Sequence, residues 1–372
     1  KPAEWSDRLL GSIAEMSSDP NRLTPDHTDS TFLAACRGEP HHHTPVWFMR
    51  QAGRSLPEYR AVRGTGSILD AVADPDRAAT ITLQPVHRYG VDAAILFSDI
   101  MVPVQALGFG VDIRQGVGPV VDRPFESAAD LERLRPFEPD VDAPYVAETV
   151  RQVVTASPVP VIGFAGAPFT VASYLVEGMP SRALERTRAF MNGDPALFDA
   201  LLDRLADVAI ASLRSQIEAG ASAVQLFDTW AGALDPQAYR QVVLPHSRRI
   251  LAALAELGVP RIHFGADTGP ILHLMAAAGP EVVGVGWRTP LDEARRLLGP
   301  DAVLQGNLDP AICLEAPEAV DAAVADVLVR NGGHLGHVFN LGHGVLPNTD
   351  PGVLAHIVEL VQAHRPSRDG TP

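Results

Sequence analysis

Pro45-Val46-Trp47-Phe48-Met49-Arg50-Gln51-Ala52-Gly53-Arg54 is an apolar run that stops abruptly in a cluster of cations. Residues 46–49 are short, continuous and apolar, which reads as a strand buried on both faces. Arg50 and Arg54 end it, and Arg60 and Arg63 follow. Four guanidinium groups within fourteen positions stand out on a chain of formal net charge -15. Arginine presents a planar fork that grips a carboxylate or phosphate through two bonds at once. Gly53 lets the backbone come close to a ligand. The stretch therefore reads as a strand delivering its end to a deep anion site, for a ligand with several acidic groups. Charge spacing alone equally fits a strand end followed by a solvated helix face.

Outward from this stretch the same unit recurs. Strand-length apolar runs occupy 93–97, 159–164, 223–227, 261–264, 282–287, 302–304 and 337–341, with helical patterns between most of them. The clearest helix starts at Asp194-Pro195, carries Leu197, Leu201, Leu205, Val208, Leu213 and Ile217, and stops at Gly220. An Asp cap, a Pro in the first turn and a Gly after the end form a full start-and-stop signal. Asp-Pro recurs at Asp74-Pro75, Asp235-Pro236, Asp309-Pro310 and Asp350-Pro351, each before a plausible helix. Eight strands alternating with helices predict an α/β fold, a (β/α)8 TIM-type barrel in a single domain over 31–364. The alternative is a doubly wound open sheet, but no Gly-x-Gly-x-x-Gly follows an early strand. Residues 1–30, rich in Ser, Asp and Pro, read as a mobile extension with a short helix around 5–16, and 365–372 as a frayed tail. The long interval after the first strand, holding Gly64, Gly66 and Ser67, reads as a functional loop.

Composition excludes several classes. With 46% hydrophobic and 20% charged residues the chain is that of a soluble globular protein. Thirty basic against 45 acidic residues argue against nucleic-acid binding. Residues 153–176 carry no formal charge and could span a bilayer by length, yet Pro158, Pro160, Pro168, Gly163 and Gly166 fit a strand and a turn far better. No membrane association is expected. Two cysteines, Cys36 and Cys313, and the lack of a signal-like start point to a cytoplasmic protein.

The polar residues at strand ends carry the chemistry. Asp99, Asp228 and Thr229, Asn307 and His343 each follow an apolar run, as does Gly166-Ala167-Pro168. In a barrel these ends share one rim, where active sites are built. Arg50, Arg54, Asp99, Thr229 and His343 can thus converge on one pocket. Taken singly, Asp99 also fits a helix cap, Thr229 a turn and His343 a core histidine.

The same residues resemble a known family. Residues 45–54 are similar to the N-terminal signature of uroporphyrinogen decarboxylases. Gly163-Phe164-Ala165-Gly166-Ala167-Pro168-Phe169-Thr170, continuing through Tyr174 and Gly178, resembles the second. Ile95 to Ile100, Gln225 to Gly232, Leu304 to Pro310 and Asn340 to Gly344 fit as well, so the resemblance runs over about 31–363. It implies a barrel, usually a homodimer, in haem and tetrapyrrole synthesis. The implied reaction converts the four acetate side chains of uroporphyrinogen III to methyls, giving coproporphyrinogen III, with no cofactor and no metal.

On this resemblance the small-molecule substrate carries eight carboxylates, with Arg50, Arg54 and Arg63 as clamps. Gln51 and Tyr174 would add neutral hydrogen bonds, and Ala52, Gly53, Phe227, Asp99, Thr229 and His343 complete the implied substrate contacts. Thr229 stands where the family often has serine; the hydroxyl survives with an added methyl. A protonated pyrrole ring can itself accept the electrons that CO2 leaves behind, a task that most decarboxylases give to a cofactor. Asp99 is the implied stabiliser of that cationic ring. The proton donor stays open among Arg50, a reluctant acid, His343 and Tyr174.

Two other readings stand beside this one. A zinc-dependent methyltransferase of the same fold needs thiolate or imidazole ligands. However, neither cysteine lies in a His-x-Cys arrangement, His41-His42-His43 reads as a solvated loop, and His334 and His337 read as loop and strand residues. A non-catalytic binder of tetrapyrroles would keep the arginines, but it gains nothing from Asp99.

Overall fold

The computed structural model describes residues 27, 29–53, 55–114 and 116–366. Most of the expected extension, including its short helix, and the tail from 367 lie outside them, as does Arg54.

The strands are β1 Ala94–Ile95, β2 Val111–Arg114, β3 Gly118–Val121, β4 Val161–Gly166, β5 Ala223–Phe227, β6 Arg261–Phe264, β7 Val282–Gly284, β8 Val303–Gln305 and β9 His337–Val338. Seven form a parallel sheet in the order β1-β4-β5-β6-β7-β8-β9. The first apolar run closes the ring. Val46 bridges Phe339 in parallel. The Phe339 N–H donates to Pro45 O at 2.8 Å, and on the other side the Asp92 N–H donates to Val46 O at 2.8 Å. All eight predicted runs are therefore staves of one α/β barrel. The first is held by single bridges because Pro45 has no N–H to give and the Val46 N–H turns aside to the Asp92 carboxylate at 2.8 Å.

Side-chain parity fixes inside and outside. Trp47 Nε1 donates to Gln305 Oε1 at 3.1 Å, and Gln305 Nε2 to Gln225 Oε1 at 2.8 Å. Since β5 and β8 are not neighbours, this chain crosses the interior. Ala165, Val224 and Leu226 face outward and pack with Ala206, Ala209, Leu213, Ile250 and Leu254 of the helices Pro195–Glu218 and Leu244–Leu254.

All five Asp-Pro pairs cap helices as expected, Asp194 accepting the Leu197 N–H at 3.1 Å. Pro168 opens helix Pro168–Glu177 directly after β4, and among the described residues no helix is long and apolar enough to cross a membrane. The antiparallel β2–β3 pair was not expected from the sequence. Its strands are short, half-exposed and linked through Gly116, so they lack the continuous apolar run that marks the staves.

Asp92 holds the first stave from three sides. Its carboxylate takes the Val46 N–H, the His43 imidazole at 2.7 Å and the Gln362 amide at 3.0 Å. Asp92→Ala is expected to lower the unfolding free energy by about 2–3 kcal/mol, the scale of a lost charge-assisted bond plus a buried unpaired N–H. Urea denaturation reads this; an unchanged midpoint would show that the ring closes without it.

Candidate active site

At the end of the first stave the chain turns sharply, and five hydrogen bonds fix the turn. The Met49 N–H donates to Asn340 Oδ1 at 3.0 Å, the Gln51 N–H to Phe48 O at 2.9 Å and the Val345 N–H to Met49 O at 2.8 Å. Gln51 is fully buried: its Oε1 accepts the Phe48 N–H at 3.0 Å, and its Nε2 donates to Ala93 O at 3.0 Å. Both ends of that amide are spent in the wall. The turn holds Arg50 at φ 63, a left-handed conformation uncommon for a side-chain-bearing residue. Ala52 is half-buried, and Gly53, at φ 127, lies against the Tyr59 ring.

Arg50 is exposed and lies across Gly344, where an added Cβ would come within 2.5 Å of its Cδ. His343 is therefore its neighbour, although nearly the whole chain separates them in sequence. The Gly344 N–H donates to His343 Nδ1 at 2.7 Å. A nitrogen that accepts carries no proton, so the neutral ring bears its hydrogen on Nε2.

Asp99 follows β1, half-buried, and its Oδ1 accepts the Met101 N–H at 2.9 Å at the start of helix Val102–Ala106. Asp99 thus holds the turn that leads into this helix, whose N-cap is Met101. Tyr174, on helix Pro168–Glu177, ties the group together. Burial pushes its phenol above the usual tyrosine range and the Asp99 charge pushes it further; the nearby Trp230 side chain and the Arg50 charge oppose them. Arg50 and Asp99 therefore both lie within electrostatic reach of Tyr174.

Thr229, half-buried, joins this group through its neighbour Trp230, whose ring meets Tyr174 edge-on at 5.9 Å. Phe227 adds an apolar wall, its ring 5.5 Å from Phe164 and 6.1 Å from Phe264. Arg63 ends helix Pro57–Arg63, half-buried, and donates to Gly66 O at 2.7 Å, which ties it to the loop after that helix. Trp230, Phe164 and Phe264 were not singled out in sequence. Their signal was present: Trp230 directly follows Thr229, and Phe164 is the register partner of inward-facing Gln225.

A separate crevice reaches Asp99 from behind, lined by Ser98, Phe137, Ser212, Ser215 and Gln216. It is bounded by helix Pro195–Glu218, outside the barrel, and no arginine lines it. The mouth, not this crevice, suits a polyacid. Burial raises both unpaired thiols, Cys313 to about 12. His43 pairs with Asp92 below the barrel, and His337, whose Nε2 donates to Gly306 O at 2.8 Å, is pushed down to about 4 by burial. Among the described residues no three His, Cys, Asp or Glu side chains gather as metal ligands would.

Comparison with known proteins gives one answer. A family model described as uroporphyrinogen decarboxylase matches residues 27–364. A uroporphyrinogen decarboxylase of Salinispora tropica is 53% identical, covering 96% of this chain and 97% of its own. One from Streptomyces coelicolor is 58% identical over 90% of this chain and 94% of its own. Among solved structures, a methyltransferase from Methanosarcina mazei matches with TM-score 0.75 at 22% identity, covering 90% of this chain and 98% of that one. At that identity the likeness is one of barrel fold alone.

Gly344→Ala separates Arg50 from the rest of the site. The new Cβ would sit 2.5 Å from Arg50 Cδ and 2.9 Å from Cγ, so the guanidinium must move. Affinity for a polycarboxylate ligand is expected to fall about tenfold or more, the scale of one charge-assisted bond, with little change in melting temperature. Titration calorimetry that finds wild-type affinity would detach Arg50 from the ligand.

Proposed function

The chain belongs to the uroporphyrinogen decarboxylase family, and from that premise we propose how its own residues carry the reaction. It is a carboxy-lyase of tetrapyrrole biosynthesis, acting on the acetate side chains of uroporphyrinogen. Each cycle consumes one proton and releases one CO2. A proton added to the pyrrole carbon beside the one bearing the acetate makes the ring cationic. The bond to the carboxylate then breaks, and its electrons form an exocyclic double bond. Protonation of the exocyclic carbon, with loss of the ring proton, restores the pyrrole and leaves a methyl.

The enzyme must therefore grip many carboxylates and tolerate a cation at their centre. Arg50, with Arg54 and Arg63, holds the peripheral acids through guanidinium forks. Asp99 faces the pyrrole N–H groups, and its fixed negative charge offsets the cation that forms. Phe227, with Phe164 and Phe264, supplies an apolar wall for the rings. The observation that carries this reading is the Tyr174 phenol, half-buried and acted on at once by Arg50 and Asp99, charges of opposite sign.

Tyr174 acts as a neutral hydrogen-bond donor, since burial and Asp99 keep the phenol protonated. His343, whose Nδ1 accepts the Gly344 N–H, turns Nε2 to the substrate. The ring proton comes from a substrate carboxylic acid or water oriented by Arg50. Thr229 adds a hydroxyl, while Gln51, Ala52 and Gly53 form the turn that presents Arg50. We further take residues 31–364 as one catalytic unit and the enzyme as a cytosolic homodimer. Family likeness and two buried, unpaired thiols support this, and sedimentation of the purified protein tests the assembly.

The zinc-methyltransferase reading is not favoured, because 53–58% identity to decarboxylases outweighs a shared fold at 22%. A binder without activity would take up uroporphyrinogen but release no CO2.

Anaerobic assay of CO2 release and coproporphyrinogen formation tests the whole. Asp99→Asn is expected to slow turnover roughly 10²–10³-fold, by analogy with the loss of an oxyanion-hole donor; near-wild-type turnover would remove Asp99 from the mechanism. His343→Gln should leave the alkaline limb of the pH–rate profile, where a proton donor is lost, in place. Disappearance of that limb would make His343 the proton donor.

A further inference from the structure

Behind the wall that carries Thr229 lies a polar cluster for which the decarboxylation steps have no direct use. Asp228 closes β5 and is fully buried. Its N–H donates to Phe264 O at 2.7 Å, and its Oδ1 accepts the Thr170 hydroxyl at 2.9 Å. The Thr170 oxygen in turn accepts the Trp230 N–H at 3.1 Å. His263, also fully buried, holds its Nε2 3.8 Å from Asp228 Oδ2.

A hydroxyl has one hydrogen to give. Because Asp228 takes it, a lone pair of Thr170 is turned toward Trp230. Residues 228 and 230 are thus pinned to one hydroxyl, with Thr229 between them. The same helix carries the other end of the arrangement. Thr170 and Tyr174 are four positions apart on helix Pro168–Glu177 and share a face. The Trp230 and Tyr174 rings meet edge-on at 5.9 Å and 66°, close enough for the indole to act on the phenol. A continuous path runs from Asp228 through Thr170 and Trp230 to Tyr174, all outside substrate contact until its last member.

We propose that Thr170 and Asp228 are positioning residues, which set the Thr229 hydroxyl and, through Trp230, the Tyr174 phenol against the substrate. This rests on the reading of Tyr174 and Thr229 as substrate contacts. The buried carboxylate orients the Thr170 hydroxyl. The hydroxyl holds the turn after β5, and the turn aims the indole ring against which the phenol packs.

Thr170→Val keeps shape and removes the hydroxyl; Thr170→Ser keeps the hydroxyl. Misplacing a catalytic group by about 1 Å can cost up to roughly 10²-fold, so kcat/KM of Thr170→Val is expected to fall about 10–100-fold. Thr170→Ser should return to within about threefold of wild type. The decisive readout is the cycle with Tyr174→Phe. If Thr170 acts through the phenol, its Val substitution should cost about threefold or less in that background, because coupled residues are not additive. Equal losses in both backgrounds would show a merely structural role and overturn the proposal, as would a Thr170→Val enzyme of wild-type kcat/KM.

Should Thr170→Val fail to fold, Asp228→Asn carries the same cycle, since asparagine still accepts the Thr170 hydroxyl but without charge. A smaller loss for Asp228→Asn with Tyr174→Phe than without it supports the path, and equal losses overturn it. Wild-type activity of Tyr174→Phe alone would instead defeat the reading of the site itself.

Discussion

The seam between the first and last staves is the constraint on which the rest depends. A parallel barrel closes only if the start of the chain meets its end, and here few backbone bonds do that work. Val46 bridges Phe339, while the Met49 N–H reaches Asn340 Oδ1 across 291 positions of sequence. The Val345 N–H then returns to Met49 O. Those contacts lay Arg50 over Gly344 and beside His343. They also explain how an arginine is kept at φ 63, since conformational strain persists only where its surroundings over-determine it. Without the seam, the guanidinium and the imidazole have no reason to share a site.

Charge organises what the seam assembles. A chain of net charge -15 repels a polyanion at long range, so recognition of one falls to local cations such as Arg50 at the mouth. Near it one carboxylate, Asp99, sits half-buried and acts on a phenol that burial keeps protonated. In the proposed reading this pairing matches a ligand that is acidic at its edge and becomes cationic at its centre. The same logic extends behind the wall. A fully buried Asp228 is costly unless its hydrogen bonds are used, and they are used to orient the Thr170 hydroxyl.

The features legible in sequence were those with a local physical cause. Staves buried on both faces must be apolar throughout, so all eight runs could be read. Asp-Pro works through its own backbone, so all five caps could be read too. The rim positions of Arg50, Asp99 and His343 followed from being the first titratable residues after such runs. What stayed hidden depends on direction and partners. Nothing in the letters of Gln51 says that both ends of its amide turn into the wall, to the Phe48 N–H and Ala93 O. Trp230 and Thr170 gain significance only when two segments sixty positions apart are brought together. The β2–β3 hairpin, short and half-exposed, lacked the periodicity that revealed the barrel.

The central claim is that Arg50 and Asp99 hold one molecule, by its edge and by its centre. A crystal structure of the enzyme with coproporphyrinogen, grown without oxygen, tests it most directly. The account predicts a pyrrole N–H within hydrogen-bond distance of the Asp99 carboxylate, in a molecule whose side-chain carboxylate lies on the Arg50 guanidinium. A ligand seated away from the mouth, or one whose pyrroles turn their backs on Asp99, would contradict it.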